Sequence, residues 1–174
     1  MILTGDEIVK QIDYNNIIIN PFSYENINPN SYNLTLDNEL MVYTQFPLNP
    51  KIENDTRLIK IPKQGFLLQP GNLYLGNTIE YTETHTYVPR IDGRSSIGRL
   101  GIFVHVTAGF GDIGFCGNWT LEITCIHPVI LYPNMKICQI SYHDKKGYIC
   151  PYKGKYQHSR QMDKSKIYEE FSSK

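Results

Sequence analysis

Hydrophobic and polar positions alternate over most of this chain with the two-residue period of strands. The clearest run is Asn118 to Thr124, where Trp119, Leu121 and Ile123 interleave with Asn118, Thr120, Glu122 and Thr124. That pattern predicts a strand with one core face and one polar face. Ile102, Val104, Val106 and Ala108 alternate in the same way with Phe103, His105 and Thr107, which predicts a second strand over 102–108. The period changes near the N-terminus. Thr4 and Glu7 form a capping-box pattern, and Ile8, Val9 and Ile12 recur at helical spacing, predicting a short helix from about Thr4 to Asp13. From there to about residue 150 the segments are short, β-branched and aromatic, broken roughly every 8 to 12 residues by Asn-Pro, Pro-Gly, Asp-Gly and other glycine turns. This reads as an all-β barrel or sandwich. Residues 152–174 change character: they are polar and lysine-rich, with Tyr156, Ile167, Tyr168 and Phe171 as spaced anchors. Such a tail is either frayed or ordered over something.

A length of 174 residues suits one domain with a sizeable core. Thirteen tyrosines and seven phenylalanines fit pleated surfaces. Seventeen basic residues balance seventeen acidic ones without a block of like charge, so neither a nucleic acid nor a membrane surface is implied as partner. A small charged ligand held by a few local residues remains open. The longest apolar runs, such as Ile17-Ile18-Ile19, fall far below the roughly 18 residues that span a bilayer. The opening residues lack the basic start and apolar segment of a signal peptide, so a cytoplasmic location is expected. Cys116, Cys125, Cys138 and Cys150 lie 9, 13 and 12 residues apart without a C-x-x-C pair. They are expected to be small buried hydrophobes kept reduced, not zinc ligands or disulfides.

Candidate chemistry concentrates in three places. Asp92-Gly93-Arg94-Ser95-Ser96-Ile97-Gly98-Arg99 sets two hydroxyls between two guanidiniums, and Arg90, Arg94 and Arg99 are three of only five arginines. The planar guanidinium fork suits phosphate oxygens, so the stretch reads as a phosphate cradle or as a solvated turn with ordinary ion pairs. Thr107 to Phe115 is punctuated by Gly109, Gly111 and Gly114 and carries one carboxylate, Asp112. Small residues there let backbone approach a ligand, and Phe110 can cover a planar base; the alternative is a plain hairpin turn. Glu122 falls on the polar face of its strand, either as an exposed carboxylate or as a lone general base and acid in a pocket. His105 reads as a packed structural residue more than as a ligand.

In order along the chain, these segments resemble the dCTP deaminase branch of the dUTPase-like superfamily. Ile27-Asn28-Pro29-Asn30-Ser31-Tyr32-Asn33-Leu34 is similar to the family's NPASYDL segment. Phe66 to Gly71 with Leu75-Gly76-Asn77-Thr78-Ile79-Glu80 is similar to its LxPGxxxLGxTxE stretch. Gly93 to Gly101, Thr107 to Gly117 and Thr120-Leu121-Glu122 resemble its signature loops, and Tyr152 with Gly154-Lys155-Tyr156-Gln157 its C-terminal tail.

The resemblance implies a homotrimer of distorted β-barrels of the β-clip type, with active sites at subunit interfaces. A C-terminal tail would close over a deoxynucleoside triphosphate bound with Mg2+. By motif match, Arg94, Ser95, Ser96, Ile97, Gly98 and Arg99 hold phosphates and help position the base. Asp112 meets the deoxyribose, Thr120, Leu121 and Glu122 line the base, and Tyr152 and Lys155 come from the tail. Glu122 takes the place of the proton donor and acceptor, so the implied reaction is hydrolytic deamination of dCTP. The H-x-E and P-C-x-x-C signature of zinc-dependent cytidine deaminases does not occur, so a water held by Ser95, Arg99 and backbone groups would attack without zinc. Thr107-Ala108-Gly109-Phe110, in place of a His-Arg pair, and Gln139 resemble the branch that continues from dUTP to dUMP, with Asp112 orienting the second water. The alternatives are release of dUTP, or a non-catalytic nucleotide sensor on the same scaffold. The chain departs from the pattern at Gly111, usually isoleucine, which implies a looser loop. Asn33 stands where aspartate is common. Ser159 replaces an expected glutamine, which implies that Gln157 or His158 compensates or that the tail clamps more weakly.

Overall fold

A computed structural model describes residues 1–105 and 107–172, so Val106 of the predicted second strand and the last two tail residues lie outside the described residues. The N-terminal helix α1 spans Gly5–Asp13, where the capping pattern puts it, and Thr4 Oγ1 accepts from Glu7 N at 3.4 Å. Only half of the capping box is visible, because the Glu7 carboxylate accepts from Gln11 Nε2 at 2.7 Å. Asp6 and Glu7 in the first turn and Lys10 in the last complement the helix dipole. Ile8 is fully buried beneath the helix.

The strands are β1 (Ile17–Asn20), β2 (Ile27–Asn28), β3 (Ser31–Tyr43), β4 (Thr56–Lys60), β5 (Phe66–Leu68), β6 (Tyr74–Thr84), β7 (Val88–Gly93), β8 (Ile102–Phe103), β9 (Cys116–Cys125), β10 (Val129–Leu131) and β11 (Lys136–His143). Two single-turn helices, α2 (Ser95–Gly98) and α3 (Glu169–Ser172), and a short 3-10 turn over Tyr24–Asn26 complete the described elements. The main sheet runs β7-β11-β3-β6-β9-β8, with β1 added on β6 and β2 and β4 on β3, while β5 and β10 pair separately. Every pairing is antiparallel. This is the distorted all-β barrel with a short N-terminal helix that the sequence implies.

Irregularities in β3 and β6 bend the sheet around its core. The β6 register slips between Asn77 and Tyr81, and most of the polar groups released there are bonded, whereas Asn77 Oδ1 is buried without a hydrogen-bond partner among the described residues. Thr78 Oγ1 accepts from Trp119 N at 2.9 Å, and Asn118 Nδ2 donates to Thr78 O and Ile79 O at 2.9 and 3.1 Å. Glu80, only 3 % exposed, accepts from Thr35 N and Thr35 Oγ1, both at 2.7 Å. Bonding at these freed groups is what makes a buried bulge tolerable.

The predicted alternation in β9 holds, with Leu121 and Ile123 fully buried and Thr120, Glu122 and Thr124 half-buried. The predicted strand over 102–108 does not: regular pairing is confined to Ile102–Phe103. Val104 O still accepts from Glu122 N at 2.9 Å, but Gly109 O then accepts from Ile91 N at 2.7 Å and Gly111 N donates to Pro89 O at 2.9 Å. The segment thus leaves the edge of β9 and reaches the edge of β7, joining the two ends of the sheet. Glycine is required there, since a Cβ on Gly109 would stand 2.3 Å from Ile91 O and one on Gly111 would stand 2.5 Å from Trp119 Cη2. The expectation of a loose loop at Gly111 is corrected accordingly: the loop is bonded and packed. Cys116, Cys125 and Cys138 are buried as expected, whereas Cys150 is exposed.

Candidate active site

The seam of the barrel holds a cavity of about 380 Å3. Its floor is β9, whose free edge is covered in two pieces that leave a gap near Thr120. On one side β8 and Val104 pair with the end of the strand. On the other the tail lies along its start: His158 N donates to Cys116 O at 2.8 Å and Asn118 N donates to Ser159 O at 2.9 Å. Glu122 and Thr120 project into the gap because they occupy the polar face of β9.

Asp112, Phe110 and Ala108 of the seam also line the cavity. The aromatic wall is Phe115 against Trp119, with ring centroids 4.6 Å apart, and Tyr152 edge-on to Phe115 at 6.0 Å. Trp119 Nε1 is anchored on Thr82 Oγ1 at 2.8 Å. Such a wall suits a planar ring.

The His105 side chain is 7 % exposed, and its Nδ1 lies 3.4 Å from Glu122 Oε2, whose side chain is 36 % exposed. The approach is long, and Nδ1 has no well-formed hydrogen bond among the described residues. That approach, a weak hydrogen-bonding interaction from His105, holds the Glu122 carboxyl below the ordinary glutamate range; partial desolvation opposes this, and the electrostatic attraction of the imidazole adds to it. Glu122 therefore stands ready as a carboxylate at neutral pH.

The tail roofs the cavity and is fixed at both ends. At the near end Gln157 Oε1 accepts from Cys116 N at 3.0 Å, Gln157 Nε2 donates to Gly114 O at 2.7 Å, and the Arg160 guanidinium lies 3.7 Å above the Tyr81 ring. At the far end Lys164 pairs with Glu53 at 2.9 Å and Ser165 N donates to Tyr43 Oη at 3.0 Å. Between them Asp163 N donates to Thr120 Oγ1 at 3.0 Å, and Tyr152 folds over Gly154, where a Cβ would meet Tyr152 Oη at 2.3 Å.

The family model described as dCTP deaminase-like matches residues 2–145. The chain belongs to the dCTP deaminase-like family. It is 58 % identical over 172 residues to a Clostridium beijerinckii protein named "dCTP deaminase, dUMP-forming", covering 98 % of this chain and 99 % of that one. It is 55 % identical over 175 residues to a protein of the same name from Leptospira biflexa, covering 100 % of both. A crystal structure of 2'-deoxycytidine 5'-triphosphate deaminase from Agrobacterium tumefaciens shares the fold, with a TM-score of 0.66 at 20 % identity over 83 % of this chain and 48 % of that one.

Within this dCTP deaminase-like chain, the residues singled out from sequence fall into two groups. Glu122, Asp112, Thr120, Phe110 and Tyr152 line the cavity. Arg94, Ser95, Ser96, Gly98, Arg99, Gln139 and Lys155 are not among its lining residues. Arg94 Nη1 donates to Lys136 O at 2.8 Å, and Ser95, Ser96 and Gly98 are exposed on α2, with Arg99 exposed directly after it. Gln139 ties the start of that turn to β3, accepting from Ser31 Oγ at 2.8 Å and donating to Gly93 O at 3.1 Å. Lys155 pairs with Glu170 inside the tail. Ile97 and Leu121, at 5 % and 0 % exposure, place their side chains in the core, so only their backbone is left for a ligand; Gly109 likewise serves the seam. Of the two candidates to compensate for Ser159, Gln157 clamps the tail to the barrel, and Ser159 contributes its backbone carbonyl to β9.

Sequence reasoning missed His105 as a partner of Glu122, and it missed Tyr43, Tyr156 and Asp163 as lining residues. Strand alternation put Trp119 in the core, where it also is; its second face toward the cavity has no signature in the period, and Phe115, read as the end of the glycine loop, is buried against it. Asp163 sits in a polar tail where nothing distinguishes it.

Proposed function

We propose that this chain hydrolyses dCTP to dUMP, ammonia and diphosphate, with Glu122 carrying the proton of the first step. The observation that carries the reading is the Glu122 carboxylate, held ionised in a cavity walled by aromatic rings. Relatives of matching length named for dUMP-forming dCTP deamination support it. In the first step a water oxygen bonds to C4 of the cytosine as one water proton passes to Glu122. The C4–N bond breaks as the amine takes that proton and leaves as ammonia, and the second water proton ends on ring N3. In the second step a further water attacks the α-phosphorus, the bond to the bridging oxygen breaks, and diphosphate departs; Asp112 is the group proposed to orient that water. Thr107-Ala108-Gly109-Phe110 and Gln139 support this continuation to dUMP.

The cavity's electrostatics support a shared site. No lysine or arginine is among the described residues that line it, and its ionisable groups include Glu122, Asp112 and Asp163. A triphosphate cannot be held by carboxylates, so base and sugar occupy the cavity while cations come from elsewhere. The exposed Arg94 to Arg99 turn of a neighbouring copy is the proposed source, within a homotrimer. Among the described residues no group of three or more His, Cys, Asp or Glu forms a metal cage. Mg2+ accordingly fits as an ion carried in by the triphosphate, where it neutralises phosphate charge. Zinc independence rests on the absent signature motifs, and a cytoplasmic location is proposed with it; no described helix is long and apolar enough to cross a membrane.

The test is product analysis after incubation with dCTP, excess Mg2+ and a zinc-selective chelator. Ammonia, diphosphate and dUMP in equal amounts are expected. Accumulation of dUTP without diphosphate would overturn the second step alone, loss of activity restored by zinc would overturn the zinc-free chemistry, and a fully active monomer at nanomolar concentration would overturn the shared site.

A further inference from the structure

We propose that His105 is a positioning residue for deamination, donating its Nδ1 proton to Glu122 Oε2 in the substrate-bound enzyme so that the second carboxylate oxygen faces the reacting water. This rests on Glu122 being the proton carrier. The geometry carries it: a nearly buried imidazole places a nitrogen that has no other hydrogen-bond partner among the described residues 3.4 Å from that oxygen. A buried donor left unmade is costly, so the residue has a standing reason to close on Glu122, the only carboxylate within ion-pair distance among the described residues. Catalytic hydrogen bonds in ligand-free enzymes are often long and tighten when the substrate arrives. The two residues also share a backbone link, since Glu122 N bonds to Val104 O directly before His105. The ring is packed near Gly109, where a Cβ would lie 3.8 Å from His105 Cδ2, so the seam that closes the barrel also sets the imidazole.

The other ionisable groups around the cavity are Asp112 from the seam, Tyr43 from β3, and Tyr152, Tyr156 and Asp163 from the tail, while β6 presents only Leu75 beside Glu122. His105 is the group that lowers the Glu122 carboxyl. The pairing also fits the proton's itinerary. While Glu122 is charged it accepts from His105; once it holds the water's proton that bond weakens, which favours returning the proton to the departing amine.

The experiment compares kcat, KM and the pH profile of ammonia release from dCTP with Mg2+ in wild type, His105→Phe, His105→Asn and Glu122→Gln. The asparagine amide places a donor near the position of Nδ1. His105→Phe is expected to lower kcat by about tenfold or more, leave KM within about threefold, and move the acid limb upward. His105→Asn is expected to recover kcat to within about threefold of wild type. An unmoved acid limb in His105→Phe, or an asparagine variant no better than phenylalanine, would overturn the inference while leaving the proton-carrier reading intact. Full activity in Glu122→Gln would instead overturn that underlying reading. If His105→Phe does not fold, titration of the Glu122 carboxyl in the wild type by carbon-13 NMR, assigned with Glu122→Gln, decides: a value below the ordinary glutamate range is expected, and one at or above it contradicts the role.

Discussion

Replacing Gln157 by alanine should release the roof of the cavity without loosening the barrel. The side chain makes three bonds: Oε1 accepts from Cys116 N at 3.0 Å, and Nε2 donates to Gly114 O at 2.7 Å and to Tyr152 O at 3.3 Å. At about 1 kcal/mol net for each, and with water able to replace part of the loss, tail docking should weaken by roughly 2–3 kcal/mol. That is roughly a 30- to 150-fold shift toward the open tail, because each 1.4 kcal/mol is about tenfold. Global stability should hardly change, since Gln157 belongs to the polar tail and not to the core cluster. The assay is hydrogen exchange across 153–172 together with the midpoint of thermal unfolding and kcat/KM for dCTP. Faster tail exchange and a lower kcat/KM at an unchanged midpoint are expected. Ser159→Ala is the control, because Ser159 docks through its main-chain carbonyl and its hydroxyl reaches only Gln161 O. A wild-type exchange pattern in Gln157→Ala, or a lowered midpoint with unchanged tail exchange, would refute the strap.

Gly109→Ala should lower the unfolding free energy by about 1–3 kcal/mol, because the new Cβ would press to 2.3 Å on Ile91 O and disrupt the bond that closes the seam. Gly98→Ala meets nothing within 4 Å and should stay within about 0.5 kcal/mol of wild type; urea melts compare the two. Phe110→Arg leaves that backbone alone, and since Phe110 is 73 % exposed it should reduce diphosphate release more than ammonia release in a paired product assay. Because the Glu122 carboxyl is held below its ordinary range, chiefly by hydrogen bonding from His105, the stabilisation it contributes is fully present above that ordinary range. It is lost as pH falls through the depressed value, and ammonia release measured where circular dichroism reports folded protein should lose its base over the same interval.

The elements that could be read from the sequence are those whose own period reports their surroundings. Thr4, Glu7 and Ile8 specify a capped helix locally, and Trp119, Leu121 and Ile123 specify the buried face of β9, which put Glu122 on the polar side before any contact was known. The segment after Phe103 misled for the same reason. Ile102 and Val104 face the core as a strand would, but alternation does not say which edge supplies the hydrogen bonds, and here the partner changes from β9 to β7. The His105–Glu122 contact joins residues 17 positions apart that meet only where Val104 pairs with β9, so it has no local signature. Arginine and serine types marked Arg94 to Arg99 as anion-binding chemistry, but composition could not say that the turn lies outside the cavity of its own chain. Gln157 and Ser159 show a further limit: residue type suggested which side chain meets the ligand, whereas the fold uses one to clamp the tail and only the backbone of the other.

The central claim, that Glu122 carries the proton in deamination, is tested most directly by Glu122→Gln. The amide is nearly isosteric but cannot accept a proton from water and return it. Ammonia release from dCTP with Mg2+ should fall at least about a thousandfold, at the upper part of what a proton-transfer group contributes, while dCTP binding by calorimetry and the circular dichroism spectrum remain like those of the wild type. Ammonia release within about tenfold of wild type from a folded, dCTP-binding Glu122→Gln protein would contradict the account.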